Sequence, residues 1–151
     1  YLSLGRLDSF KGFSELIRSI GDHLILKNRQ LKIAGDGPDH KKLIELTHHL
    51  KLQDHVVFLG HVKNPSLLYS EAMAYISTSY LEGFPLNIIE AQSYGLPIIA
   101  SDCLSGPREI LLNRSDYENR LATGHIENNG CYLIPTPDSE SFHKDLNEVL
   151  V

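Results

Sequence analysis

Short apolar runs alternate along this chain with stretches whose apolar residues recur at helical spacing, and that alternation restricts the fold more than any other property. The runs are Tyr1–Gly5, Leu31–Ala34, Val56–Leu59, Ala72–Ser77, Ile98–Ser101 and Tyr132–Ile134. They are apolar throughout instead of at every second residue, the pattern of strands buried on both faces. Between them Phe13, Leu16, Ile17, Ile20 and Leu24 mark one amphipathic helix, and Leu43, Ile44, Leu46 and Leu50 mark another over about Asp39–Leu50. Further helices are expected at Pro65–Glu71, from about Leu86 to Tyr94, at Pro107–Leu112, and at the end of the chain on Phe142, Leu146, Val149 and Leu150. Gly35-Asp36-Gly37-Pro38 and Gly95-Leu96-Pro97 break the segments apart. Strands alternating with helices make βαβ units, so the expected fold is α/β and Rossmann-like, a three-layer αβα arrangement on a six-stranded parallel sheet. Asn113–Asn129 is polar, long for a connection, and expected to be a surface loop with some helix around Tyr117–Leu121.

Such sheets bind ligands beyond the carboxyl ends of their strands. The turn residues gathered there are Gly5, Arg6, Gly35, Gly37, Gly60, His61, Glu82, Gly83, Asp102 and Cys103. The stretch Tyr80–Ala91 is central: a strand runs through Ser77–Ser79 into Glu82-Gly83-Phe84-Pro85 and launches a helix at about Leu86. A tight turn into a helix leaves free backbone N–H groups where an anion can sit. Glu82 and Glu90 cannot hold that anion, but carboxylates accept hydrogen bonds from sugar hydroxyls. Donors for phosphate beside acceptors for hydroxyls are the chemistry of a nucleotide-sugar site. Arg6 and Lys11, flanking the end of the first strand, suit a pyrophosphate, Arg by binding two oxygens and Lys as a point charge. Glu90, between Ile89 and Ala91, is expected to be half-buried and to need partners. Ser105-Gly106-Pro107-Arg108-Glu109 opens another helix after a Gly-Pro turn and could present further backbone donors, with Arg108 and Glu109 equally able to pair with each other on the surface.

Several classes are set aside. A net charge of −5 gives no basic surplus for nucleic acid. The 42% hydrophobic content argues against disorder, and no run is long enough to span a bilayer. Two cysteines, Cys103 and Cys131, lack metal-ligand spacing and read as reduced residues of a cytosolic domain. The eight histidines form no ligand pattern, so no metal is expected. Gly5-Arg6-Leu7-Asp8-Ser9-Phe10 lacks the later glycines of the dehydrogenase fingerprint. The chain begins in a strand without an initiating methionine and stops at Val151 within a helix, so residues 1–151 read as one domain excised from a longer protein.

An ordered series of motifs then resembles a known family: Gly5-Arg6-Leu7 with Lys11-Gly12, Ala34-Gly35-Asp36-Gly37-Pro38, Phe58-Leu59-Gly60, Glu82-Gly83-Phe84-Pro85-Leu86 through Glu90-Ala91, Gly95-Leu96-Pro97-Ile98-Ile99-Ala100, and Gly106-Pro107-Arg108-Glu109-Ile110. Together they are similar to the donor-binding half of a retaining glycosyltransferase with the two-Rossmann-domain (GT-B) fold, in the glycosyl transferases group 1 family. The resemblance implies catalytic roles for Arg6 and Lys11 on the donor diphosphate, in place of a metal, and for Glu82 at the transferred sugar. The turn of Gly83, Phe84, Pro85 and Leu86 would offer backbone amides to sugar and phosphate, Glu90 would hold the ribose, and His61 and Val62 would lie against the base. Gly5 and Gly35 would let the donor approach the backbone closely. The implied donor is a nucleoside-diphosphate sugar, UDP favoured. The acceptor, a saccharide or a lipid-linked one, would meet a missing N-terminal domain in the cytoplasm or at the inner face of the membrane. Pro85 departs from the glycine of many relatives and removes one amide donor. A sugar-nucleotide epimerase or phosphorylase of the same architecture, and a non-catalytic binding module, stay open as alternatives.

Overall fold

The computed structural model describes residues 1–150, and at Tyr117 the backbone alone. The last helix, expected to carry Leu150 and run on to Val151, ends at Val149, because Leu150 already has extended backbone; Val151 lies outside the described residues. Among the described residues seven strands and six α-helices follow one another as β1 (Leu2–Leu4), α1 (Phe13–Leu26), β2 (Leu31–Ala34), α2 (His40–His49), β3 (Val56–Gly60), α3 (Ser66–Glu71), β4 (Tyr75–Ser77), α4 (Leu86–Ser93), β5 (Ile98–Ser101), α5 (Pro107–Leu112), β6 (Ile126–Asn128), β7 (Cys131–Ile134) and α6 (Phe142–Val149). Short 3₁₀ turns occupy Ser9–Lys11 and Tyr117–Asn119.

The strands form one sheet in the order β3-β2-β1-β4-β5-β7-β6. The first six of these are mutually parallel, as the apolar runs require. Residues alternate between faces, so Ile76, Ile99 and Ile134 meet α1, α2 and α6 on one side. Tyr75, Ile98, Ala100 and Leu133 meet α3, α4 and α5 on the other. Helix spacing explains which stripe each helix buries: Phe13, Leu16, Ile17, Ile20 and Leu24 of α1 all turn inward.

The strand count corrects the six-stranded expectation. β6 pairs antiparallel with β7, Asn128 opposite Cys131, at the sheet edge. The two residues between them, Asn129 and Gly130, have φ of 51° and 75°. Two successive positive φ values are what a two-residue hairpin turn of the primed type requires, and Asn-Gly is its commonest sequence. The polar 113–129 segment therefore ends in a hairpin strand.

Candidate functional site at the carboxyl edge of the sheet

The sheet reverses its winding between β1 and β4, which neighbour each other in space although two βα units separate them in sequence. The loops leaving these strands diverge into opposite layers and leave a crevice. Local contacts fasten its walls together. The Asp8 side chain accepts from the Phe10 amide at 3.0 Å and starts the 3₁₀ turn that carries Lys11. Gly12 follows with φ of 65°, and a Cβ there would fall 2.1 Å from the Thr78 carbonyl oxygen, so only glycine lets the two loops meet. The Thr78 hydroxyl donates to the Gly12 carbonyl at 3.1 Å, and the Tyr80 amide donates to the Phe10 carbonyl at 2.8 Å.

This docking sets Lys11 against Glu82. Lys11 Nζ donates to Glu82 Oε1 at 2.6 Å, and the Ser79 hydroxyl donates to the same oxygen. The Glu82 side chain is only 8% exposed, so the two partners offset the cost of keeping its charge out of water. Glu82 Oε2 has no partner among the described residues. Burial first, and then the charge of Glu82, push the neighbouring Cys103 thiol up to about 12, which keeps it protonated and unreactive.

On the other side of β1 lies a cleft of about 340 Å³ lined by Leu4, Gly5, Arg6, Ala34, Gly35, Asp36, His61 and Val62. Gly35 has φ of 143°, and a Cβ on it would stand 1.8 Å from the Gly5 carbonyl oxygen. That close approach brings the loops after β1 and β2 together as one floor. The Leu7 amide donates to the Asp36 carbonyl at 3.0 Å, and the Gly35 amide to the Gly60 carbonyl at 2.8 Å, which adds the loop after β3. Gly5 borders both halves of the site, for the Lys11 stem lies 3.6 Å from where its Cβ would be. Arg6 stands at the rim, its side chain 73% exposed and 3.7 Å from Asp8, an ion pair of little strength. The two cations are thus unequal: Lys11 is engaged and Arg6 is loosely held.

The turn after Glu82 leads into α4 through a buried Pro85, while Gly83, Phe84 and Leu86 are exposed. Glu90 is exposed as well, which corrects the expected half-burial: α4 buries Ile88 and Ala91, and the Ile89–Glu90 pair faces out. Glu90 still has a partner, since the Tyr69 hydroxyl donates to its Oε2 at 2.9 Å. Burial, then the neighbouring Glu90, raise the Tyr69 phenol well above its ordinary range, so it stays a donor. The Asn87 amide group donates to the Leu4 carbonyl at 2.8 Å and the Tyr75 hydroxyl to the same oxygen at 3.2 Å, tying the end of β1 to the first turn of α4.

Arg108 corrects a second expectation. It does not pair with Glu109 on the surface but is buried, gripping Asp102 with Nε at 3.0 Å and with Nη2, and reaching the Asn119 carbonyl at 2.9 Å. Asp102 also accepts from the Leu121 amide at 2.7 Å. Ser79, Tyr69 and Asn87, which hold site residues in place, were given no role from the sequence, and Ser105 entered only as the first residue of the motif that opens α5. Only Ser79, three residues before Glu82 at the end of an apolar run, carried a readable signal. Among the described residues no three His, Cys, Asp or Glu side chains gather to hold a metal ion, and no helix is long and apolar enough to cross a membrane.

With this geometry in place, the chain matches the family described as glycosyl transferases group 1 over residues 1–151. It belongs to that family. This group 1 chain is 37% identical over 151 residues to an uncharacterised glycosyltransferase of Methanocaldococcus jannaschii, covering 98% of the chain and 36% of that relative. It is 35% identical over 122 residues to a lipopolysaccharide 1,6-galactosyltransferase of Salmonella typhimurium, covering 74% of the chain and 32% of the relative. Among solved structures, the pneumococcal O-GlcNAc transferase GtfA in complex with UDP and GlcNAc superposes with a TM-score of 0.74 at 26% identity, over 98% of this chain and 26% of that one. The Rossmann-like GT-B half expected from the motifs is the fold that these glycosyltransferases share. The group 1 chain spans about a third of the length of the curated relatives it matches.

Proposed function

We propose that this chain binds the nucleoside-diphosphate sugar donor of a retaining glycosyltransferase, UDP-sugar favoured, in the assembly of a bacterial surface polysaccharide or glycan. The observation that carries the reading is the Lys11–Glu82 pair at the winding reversal, 2.6 Å apart and adjoining the Gly5–Val62 cleft. A cation for phosphate and a carboxylate for sugar hydroxyls stand side by side, next to a slot of the size a base needs. His61 and Val62 would face the base, Glu90 the ribose hydroxyls, Arg6 and Lys11 the diphosphate, and Glu82 the transferred sugar. UDP in the GtfA complex supports the choice of uridine.

Chemically, departure of the diphosphate leaves positive charge on the anomeric carbon and negative charge on the leaving oxygens. Lys11 and Arg6 would stabilise the leaving group, and the Glu82 carboxylate would orient the sugar on the face the acceptor enters. The acceptor hydroxyl would attack on the face from which the diphosphate departs, its oxygen bonding to the anomeric carbon as the bond to the diphosphate breaks and its proton passing to a leaving-group oxygen, which retains the anomeric configuration. A further domain would supply the acceptor site, and this chain alone would bind donor without transferring its sugar.

Calorimetric titration with UDP, GDP and ADP tests the reading. One diphosphate should bind saturably, and Lys11→Ala and Glu90→Ala should both weaken it. Binding of none of the three by the full-length protein would refute a donor site.

A further inference from the structure

The turn after Glu82 is held from behind by one side chain. Ser105 Oγ lies 2.8 Å from the Glu82 carbonyl oxygen and 2.8 Å from that of Gly83. Ser105 itself has φ of 58°, a left-handed conformation that a residue with a side chain adopts at a cost. Gly106 follows with φ of 90°, and a Cβ on it would lie 2.3 Å from Pro85 Cδ, so the segment is pressed against the turn it holds.

The consequence lies in the geometry of the peptide bond. Every described peptide is trans, and a trans peptide points its N–H opposite to its C=O. With the Glu82 and Gly83 carbonyls both turned to Ser105, the amides of Gly83 and Phe84 are turned away from it. Neither amide has a protein partner among the described residues, and the space around Gly83 is open, with no atom within 4 Å of where a Cβ would stand. Two successive amides aimed the same way form a cradle for an anion. This cradle directly follows the carboxylate that Lys11 holds.

We propose that Ser105 is a positioning residue whose hydroxyl fixes these two peptide planes, so that the Gly83 and Phe84 amides meet the terminal phosphate of a bound nucleoside diphosphate. The assignment rests on the donor-site reading above. Ser105 touches no ligand itself, and its effect is confined to the phosphate that the turn reaches.

The test is calorimetric titration of the full-length protein with UDP, GDP and ADP and with the matching monophosphates. Ser105→Ala removes the hydroxyl, and Ser105→Gly removes it while also relieving the left-handed strain. Both should weaken the diphosphate about tenfold, the effect of one misplaced hydrogen bond to a charged group, and leave the monophosphate within about twofold. An unchanged diphosphate affinity, a loss in the alanine variant alone, or an equal loss for both ligands overturns the assignment. In the last two outcomes Ser105 serves only backbone conformation or the fold. If the unsubstituted protein binds no diphosphate, the donor-site reading fails, and the role of Ser105 fails with it.

Discussion

Lys11 and Glu82 neutralise each other at 2.6 Å, and that pairing forecasts opposite results for substitutions only one contact apart. A phosphate must draw Lys11 towards itself, away from the carboxylate it now serves. Lys11→Ala removes the cation and should weaken UDP about 10- to 100-fold, the range of a lost charge-assisted hydrogen bond. Glu82→Gln removes a negative charge beside the phosphate and frees Lys11. It should leave UDP affinity unchanged or higher while lowering the kcat of the full-length protein by about 100-fold. Equal losses of UDP binding in the two variants would contradict these roles. Cys103 offers an independent check on the polarity of this corner. Its thiol is raised from an ordinary 9.0 to about 12 by burial and then by Glu82. A thiol reagent at pH 8 should therefore modify the partly exposed Cys131 and spare Cys103 until the protein unfolds. The fold favours the neutral thiol, so this contribution to stability is complete below about pH 9 and declines above it, as the unfolded thiol ionises first.

Among the elements, the ion pair between the end of β5 and α5 has the clearest energetic consequence. Arg108 and Asp102 are both buried, and together they tie down Asp116, Asn119 and Leu121. Asp102→Ala leaves a buried guanidinium without its main partner, which should cost about 3–5 kcal/mol in urea denaturation. Replacing both residues with apolar ones of similar volume should cost less than that single change. A loss below about 1 kcal/mol for Asp102→Ala would contradict the assignment. This pin was not legible beforehand, because Arg108 reads as surface by type and its burial depends on where β5 delivers Asp102. The β6–β7 hairpin was legible in principle: Asn129-Gly130 is a strong turn signal, but it stands at the end of a long polar run and Ile126 is the one apolar residue of the three-residue strand before it. The other strands and helices were readable because burial on two faces, or on one stripe, repeats at a fixed spacing. Glu90 shows the limit of that rule, since apolar neighbours at adjacent positions of a helix point in different directions.

At the scale of the molecule, the winding reversal between β1 and β4 decides where chemistry can occur. Residues from four separate loops converge there: Gly5, Arg6 and Lys11 after β1, Gly35 after β2, His61 and Val62 after β3, and Ser79 and Glu82 after β4. Apart from Ser79, these positions were marked in the sequence, by glycines and charges that recur in order at strand ends and, for His61 and Val62, by the family resemblance. Those marks could not specify the contacts among them, which depend on sub-ångström fits such as Gly12 on Thr78 and Gly35 on Gly5. The opposite edge carries a cavity of similar size, about 430 Å³, lined by Arg29, Lys32, His55 and Glu71 among others. It lies at the amino ends of the strands, away from the winding reversal and the donor cleft proposed there. Amide chemical shifts of the isotopically labelled chain, followed as UDP is added, separate the two edges in one titration. We predict that the amides of Gly5, Gly35, Val62, Gly83 and Phe84 shift together and saturate, with those of Arg29, Lys32 and His55 unmoved. Shifts confined to Arg29, Lys32 and His55, or none at either edge, would contradict donor binding at the carboxyl edge of the sheet.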